Sequence, residues 1–203
     1  MRWASVLMVL GLALPAAADD WTADERRRAS DGVYRELVRT YGEPVQPAWE
    51  APVSQIFHRM AGYSSRNDVP YTVRVVPSET INAYALPDGR VVFLTGLLDA
   101  LPPGDEDAVA FVAGHEIAHI ENHHAERFAW SGGLTGLALA LLTRNQSGWV
   151  QLLAGVTNGL LVSGYSRGME AEADRAGMEM MERAGYRPQG ALATLKLFKD
   201  LDE

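Results

Sequence analysis

Apolar residues recur along this chain with two different periods, and these periods predict its secondary structure. Val33, Leu37, Val38 and Tyr41 have the three- and four-residue spacing of one buried helix face. Thr22 and Glu25 have the spacing of a capping box, so a helix is predicted from there to Tyr41. After a connector rich in proline, a second and shorter helix is predicted over residues 53–61.

The clearest β pattern lies at about residues 71–95. Residues 71–76 alternate between apolar and polar positions, and residues 81–86 and 90–95 form two further runs of β-forming residues. Pro87, Asp88 and Gly89 supply the turn chemistry of a hairpin between the last two runs. A small antiparallel sheet is therefore predicted in this part of the chain.

From Asp105 onward the pattern is helical. Acidic residues at 105–107 suit the positive end of a helix dipole, and the helix is predicted to continue to about Phe128. Further helices are predicted over residues 170–184 and after Pro188. The expected fold class is therefore α+β, mostly helical, with the small sheet beside the long helix that begins near Asp105.

Residues 131–164 are rich in glycine and leucine and carry few charges. A polar stretch at residues 144–147 divides them into two apolar segments, each short for a membrane span. We interpret this region as a buried or half-buried helical hairpin. The alternative is an element that lies on or in a bilayer.

The first residues have the pattern of a targeting segment. Arg2 precedes an apolar run, and the small residues Ala16, Ala17 and Ala18 follow Pro15, which predicts a signal peptide over residues 1–18. An uncleaved N-terminal anchor is the alternative. We therefore expect an exported protein, periplasmic or secreted, with one domain over residues 19–203.

Composition excludes several classes of function. The chain has 203 residues, of which 47% are hydrophobic, which suits one globular domain. Its formal charge of -8 does not suit nucleic-acid binding, which needs a basic surface. The chain has no cysteine, so disulfides, thiolate metal sites and cysteine-protease chemistry are excluded.

Candidate chemistry lies in the long helix, where His115, Glu116 and His119 form an H-E-x-x-H motif. Residues four apart share one helix face, so the two imidazoles can bind one zinc ion. Glu116 lies one position round the helix, where its carboxylate can accept a proton from a water molecule activated by the metal. The flanking residues are apolar, and burying these polar groups without an ion would be costly.

A third protein ligand is expected from a later helix. In a longer form of this zinc motif, the second histidine is followed by a glycine and then by a third histidine that binds the metal. This chain does not match that form, because Asn122 and Ala125 occupy those two positions. Glu170 and Asp174 share one face of the helix predicted over residues 170–184. We therefore predict Glu170 as the third ligand and Asp174 as the acceptor for the outer N–H of a ligating histidine.

These motifs resemble the HtpX and CAAX prenyl protease (Ste-type) zinc metallopeptidases, peptidase family M48. The resemblance rests on residues 115–119, on residues 165–174 and on the Asn82–Gly89 and Thr95–Leu98 segments upstream. It implies a zincin-like fold and endopeptidase activity on proteins, with Glu116 catalytic and one Zn²⁺ on His115, His119 and Glu170. Arg167 and Asp174 match polar positions beside the third ligand.

The chain departs from the membrane-embedded members of that family, because it has no apolar segment of convincing length to span a bilayer. It resembles the soluble, exported members and, ending at Glu203, is expected to lack the C-terminal helical repeats that some of them carry. The expected function is hydrolysis of misfolded or misassembled exported or envelope proteins. Protein or peptide partners are expected, and the oligomeric state stays open.

Two other functions remain as alternatives. The first is a zinc-stabilised chaperone or adaptor that binds envelope proteins without cutting them, although a purely structural site has no use for the Glu116 base. The second is a membrane-associated protease that contacts the bilayer through residues 131–164.

Overall fold

The computed structural model describes residues 21–44, 50–130 and 165–201. Their α+β organisation, mostly helical with a small sheet, is the one that the sequence predicts. The helices are α1 (Ala23–Tyr41), α2 (Glu50–Ala61), α3 (Thr95–Ala100), α4 (Glu106–Glu121), α5 (His124–Trp130), α6 (Arg167–Ala184) and α7 (Gln189–Leu201). The strands are β1 (Thr72–Val76), β2 (Ala83–Ala85) and β3 (Arg90–Leu94). The predicted signal peptide at residues 1–18 and the predicted hairpin at residues 131–164 lie outside the described residues.

Helix α1 begins with the capping box that the sequence predicts. The Glu25 backbone N–H donates to Thr22 Oγ1 at 3.2 Å, and the Thr22 backbone N–H donates to Glu25 Oε2 at 2.8 Å. Two N–H groups that would otherwise lack partners at the helix end are thereby satisfied. The helix ends at Gly42, whose φ of 99° lies in a region that favours glycine.

The sheet is mixed, so the prediction of an antiparallel sheet is wrong for one of its two strand pairs. Strands β2 and β3 form the predicted antiparallel hairpin. Strand β1, however, pairs in parallel with the other side of β3, which gives the strand order β1-β3-β2. The alternation of apolar residues determines which face of a sheet a side chain occupies, but not which strand lies beside it.

Hydrogen bonds at both ends of the β1–β3 pair hold the parallel arrangement. At one end, the Thr72 backbone N–H donates to the Gly89 carbonyl at 3.0 Å. At the other end, Ser78 exchanges hydrogen bonds with Thr95 at 3.0 Å, and its carbonyl accepts from the Gly96 N–H at 2.7 Å. These contacts hold β3 beside β1. Strand β3 therefore lies between β1 and β2, and β2 is an edge strand of the sheet.

Alternating residues of the sheet pack into two hydrophobic clusters. Val73, Val75, Val91 and Phe93 join the main cluster, to which α2, α4 and α6 contribute. The opposite face of the sheet, including Val92 and Leu94, packs against α1. The period of two along each strand accounts for this division.

Helix α4 is shorter than predicted. It ends at Glu121, and not near Phe128, because His123 adopts a φ of 54° that interrupts the helix before α5 begins. This region of φ is uncommon for residues other than glycine. The break redirects the chain, so α5 lies against the C-terminal end of α4 instead of continuing it.

Helices α4 and α6 approach each other closely through two glycines. A Cβ atom added to Gly114 would lie 2.9 Å from the Gly177 carbonyl oxygen, and one added to Gly177 would lie 2.8 Å from the His115 backbone nitrogen. Both distances are shorter than a side-chain carbon tolerates, so only glycine permits this packing. None of the helices in the described ranges is long and apolar enough to cross a bilayer.

Candidate metal centre

The two histidines of the H-E-x-x-H motif lie one turn apart on α4 and point to the same place. His115 Nε2 and His119 Nε2 are 2.9 Å apart. The His119 side chain is buried, and the His115 side chain is 19% exposed. The four-residue spacing brings them together because it nearly matches one helical turn.

Helix α6 brings Glu170 to the same place. Ser166 caps this helix by accepting from the Met169 backbone N–H at 3.2 Å, which positions Glu170 in the first turn. Glu170 Oε2 lies 3.6 Å from His115 Nε2, and Glu170 Oε1 lies 3.8 Å from His119 Nε2. Among the described residues, these three form the one group of donors arranged to hold a metal ion.

This donor set fits a zinc ion. Nitrogen and oxygen ligands about 2.0 Å from a tetrahedral zinc lie about 3.3 Å from one another. The observed separations of 2.9, 3.6 and 3.8 Å bracket that value. Two imidazoles and one carboxylate also form a known catalytic zinc set, which leaves a fourth position for solvent or substrate.

The outer nitrogen of each histidine has its own partner. His115 Nδ1 lies 2.9 Å from Asp174 Oδ1 on α6. His119 Nδ1 lies 2.7 Å from Nδ1 of His124, the first residue of α5. Such outer partners fix the orientation and tautomer of a metal-binding imidazole.

Burial and charge act differently on the two imidazoles. Burial lowers the pKa of His119 to about 2, and the neighbouring His115 and His124 rings lower it further. Burial also disfavours the charged form of His115, but Asp174 and the carboxylates of Glu116 and Glu170 outweigh it and raise its pKa. His119 is therefore neutral at pH 7, which is the form that binds a metal.

Glu116 faces the cavity beside these groups. Burial raises the pKa of Glu116 to about 7, while His115 and a hydrogen bond from the Ala85 backbone N–H oppose the rise. A carboxyl with a pKa near neutrality is suited to accept and return a proton. A bound cation would lower this pKa and favour the carboxylate.

Strand β2 forms one wall of a cavity of about 500 Å³ that contains the donor set. Asn82 and Leu86 pair with β3, so the alternate residues Ala83 and Ala85 direct their backbone groups away from β3. Leu195 and Phe198 of α7 also line this cavity. The cavity therefore combines the candidate ligands, a carboxylate and a strand edge.

A comparison with known proteins agrees with the geometry of this site. The model of Peptidase family M48 matches residues 47–199, which is most of the chain. The chain belongs to peptidase family M48. The matched range contains His115, Glu116, His119 and Glu170, and the zincin-like fold agrees with this membership.

Relatives in the M48 family include two groups of named proteases. The mitochondrial metalloendopeptidase OMA1 of Schizosaccharomyces pombe is 31% identical over 178 residues, covering 85% of this chain and 52% of the relative. OMA1 of Bos taurus is 35% identical, covering 58% of this chain and 24% of the relative. The β-barrel assembly-enhancing protease of Yersinia pestis is 26% identical, covering 85% and 35%. The chain therefore spans about half or less of the length of these relatives.

The family prediction is confirmed, whereas the narrower resemblance to HtpX and CAAX prenyl proteases stays a prediction, because these relatives belong to the OMA1 and β-barrel assembly groups. Arg167 is the exposed first residue of α6. Within the described ranges, no hydrogen bond or ion pair joins it to the donor set, so its proposed role beside the third ligand stays a prediction.

Two further residues lie beside His119 that the sequence did not place there. His124, which the sequence analysis does not assign to the site, is fully buried. Tyr165 stacks on the His119 ring with centroids 4.6 Å apart and an angle of 20° between the planes. Asn122, a residue type that tolerates helix ends, was the one sequence signal that α4 stops before His124.

Proposed function

We propose that this protein is a zinc-dependent endopeptidase that binds one Zn²⁺ through His115, His119 and Glu170 and uses Glu116 as its general base. The observation that carries the proposal is the convergence of three donor atoms from two helices within 4.8 Å of one another. Glu116 lines the same cavity. A closed structural site would need a fourth protein ligand and no base.

The donor set, Glu116 and strand β2 each have a part in the proposed reaction. When bound, zinc supplies Lewis acidity that polarises a peptide carbonyl and acidifies a water molecule. Glu116 accepts the proton of the attacking water and returns it to the leaving amine, as its position beside the donor set allows. Strand β2, at the edge of the sheet that the described residues form, holds the substrate backbone in an extended conformation beside Glu116.

The direct test is protein digestion combined with metal analysis. We expect the purified protein to contain one zinc per chain and to cut casein, because an unfolded protein presents extended segments to the cavity. A chelator should abolish cleavage, and added zinc should restore it. If the zinc-loaded protein binds casein but never cuts it, the chaperone or adaptor function would replace the proposal.

We also propose that the substrates are misfolded or misassembled exported or envelope proteins. Two features support this: the signal-peptide pattern of residues 1–18 and the similarity to proteases named for β-barrel assembly. Osmotic release should then recover the protein in the soluble fraction. Recovery with the membranes would instead favour the membrane-associated protease.

A further inference from the structure

The two histidines of the donor set are supported in different ways. His115 Nδ1 meets a carboxylate directly, at 2.9 Å from Asp174 Oδ1. His119 Nδ1 meets a second imidazole, at 2.7 Å from His124 Nδ1. The other nitrogen of His124 lies 3.2 Å from Glu172 Oε2. Each ligand is thus supported by its own carboxylate. Asp174 contacts His115 directly, whereas Glu172 reaches His119 only through His124.

The chemistry of imidazole determines where the protons lie in this second arrangement. A histidine that binds a metal through Nε2 carries its proton on Nδ1, so His119 donates from Nδ1. His124 Nδ1 must then accept, which places the His124 proton on Nε2. That proton points to Glu172 Oε2, an acceptor with no proton of its own.

Arg127 holds the far end of this chain of hydrogen bonds. Its Nη1 donates to the same Glu172 Oε2 at 2.8 Å. Arg127 and His124 both belong to α5, and Glu172 belongs to α6, so the arrangement joins two helices. His124 is fully buried, so water does not compete for its nitrogens.

We propose that His124 and Glu172 form a relay that positions His119 for zinc binding. The inference rests on the proposed function, because it takes His119 as a metal ligand. The relay holds the His119 ring in one tautomer and raises the basicity of its Nε2. Glu172 acts only through His124, and neither residue touches the metal or the substrate.

The test measures the affinity for zinc by competition with a chromophoric chelator. His124→Leu removes both the acceptor and the donor, and it should weaken zinc binding by about 10- to 100-fold. His124→Gln keeps a carbonyl acceptor and an amide donor, so we expect it to restore most of the affinity. Glu172→Gln should weaken binding by several-fold.

A double-mutant cycle separates the relay from a merely structural role. In the His124→Leu background, Glu172→Gln should cause no further loss of zinc affinity. An equal loss with and without His124 would overturn the relay. If His124→Leu does not fold, Glu172→Leu decides, because Glu172 is partly exposed and leucine offers no acceptor, so wild-type affinity in that variant would contradict the proposal.

The unmodified protein distinguishes failure of the relay from failure of the proposed function. If it takes up one zinc and His119→Ala loses it, but folded His124→Leu keeps wild-type affinity, only the relay is wrong. If the unmodified protein takes up no zinc, both proposals are overturned.

Discussion

Glu116→Gln is expected to lower kcat for casein cleavage by about 100- to 10,000-fold while the protein keeps its zinc. The three donor atoms come from other residues, so the metal site survives the change. The amide cannot accept a proton from water, so the base is lost. Glutamine has nearly the same volume and still accepts the hydrogen bond from Ala85, so the cavity keeps its shape.

The matched control is Glu106→Gln at the exposed start of the same helix. This change removes the same charge far from the donor set and should leave cleavage unchanged. Zinc content of both variants is measured alongside turnover. Wild-type turnover in the Glu116→Gln variant would remove Glu116 from the proposed mechanism.

Gly177→Ala is expected to lower the free energy of unfolding by about 1–3 kcal/mol. The new Cβ would lie 2.8 Å from the His115 backbone nitrogen and 3.0 Å from the Gly114 carbonyl carbon. Neither atom belongs to a flexible side chain, so α4 and α6 must separate. Because Glu170 lies on α6 and His115 on α4, zinc affinity should fall as well. Urea unfolding of the metal-free protein and chelator competition measure the two effects.

Gly168→Ala provides the control within the same helix. A Cβ there meets only Ser166 Oγ, at 3.6 Å, so no overlap results. Alanine favours helix over glycine, so stability should stay unchanged or rise by up to about 1 kcal/mol, with zinc affinity unaltered. A Gly177→Ala variant as stable as Gly168→Ala would show that the two helices do not need the close contact.

Local patterns predict the local structure of this protein well. The capping box at Thr22 and the hairpin turn at Pro87–Gly89 both involve residues near one another in sequence, and both are present. The parallel pairing of β1 with β3 depends instead on contacts between Ser78 and Thr95, which are distant in sequence. The alternation of apolar and polar residues carries no information on such contacts, so the antiparallel prediction was wrong for that pair.

The same distinction applies to the candidate metal centre. The spacing of His115 and His119 on one helix predicted their shared face, and the four-residue spacing of Glu170 and Asp174 predicted theirs. His124 was missed because its position depends on the break at His123, where the backbone leaves the helical region. A continuous helix would have carried that ring away from His119.

The most direct test of the metal centre is a crystal structure of the zinc-loaded protein with an anomalous-difference map collected at the zinc absorption edge. We predict one strong peak per chain, about 2.0 Å from Nε2 of His115, Nε2 of His119 and a carboxylate oxygen of Glu170. A peak elsewhere, or a fully zinc-loaded protein whose Glu170 carboxylate does not reach the ion, would contradict the account.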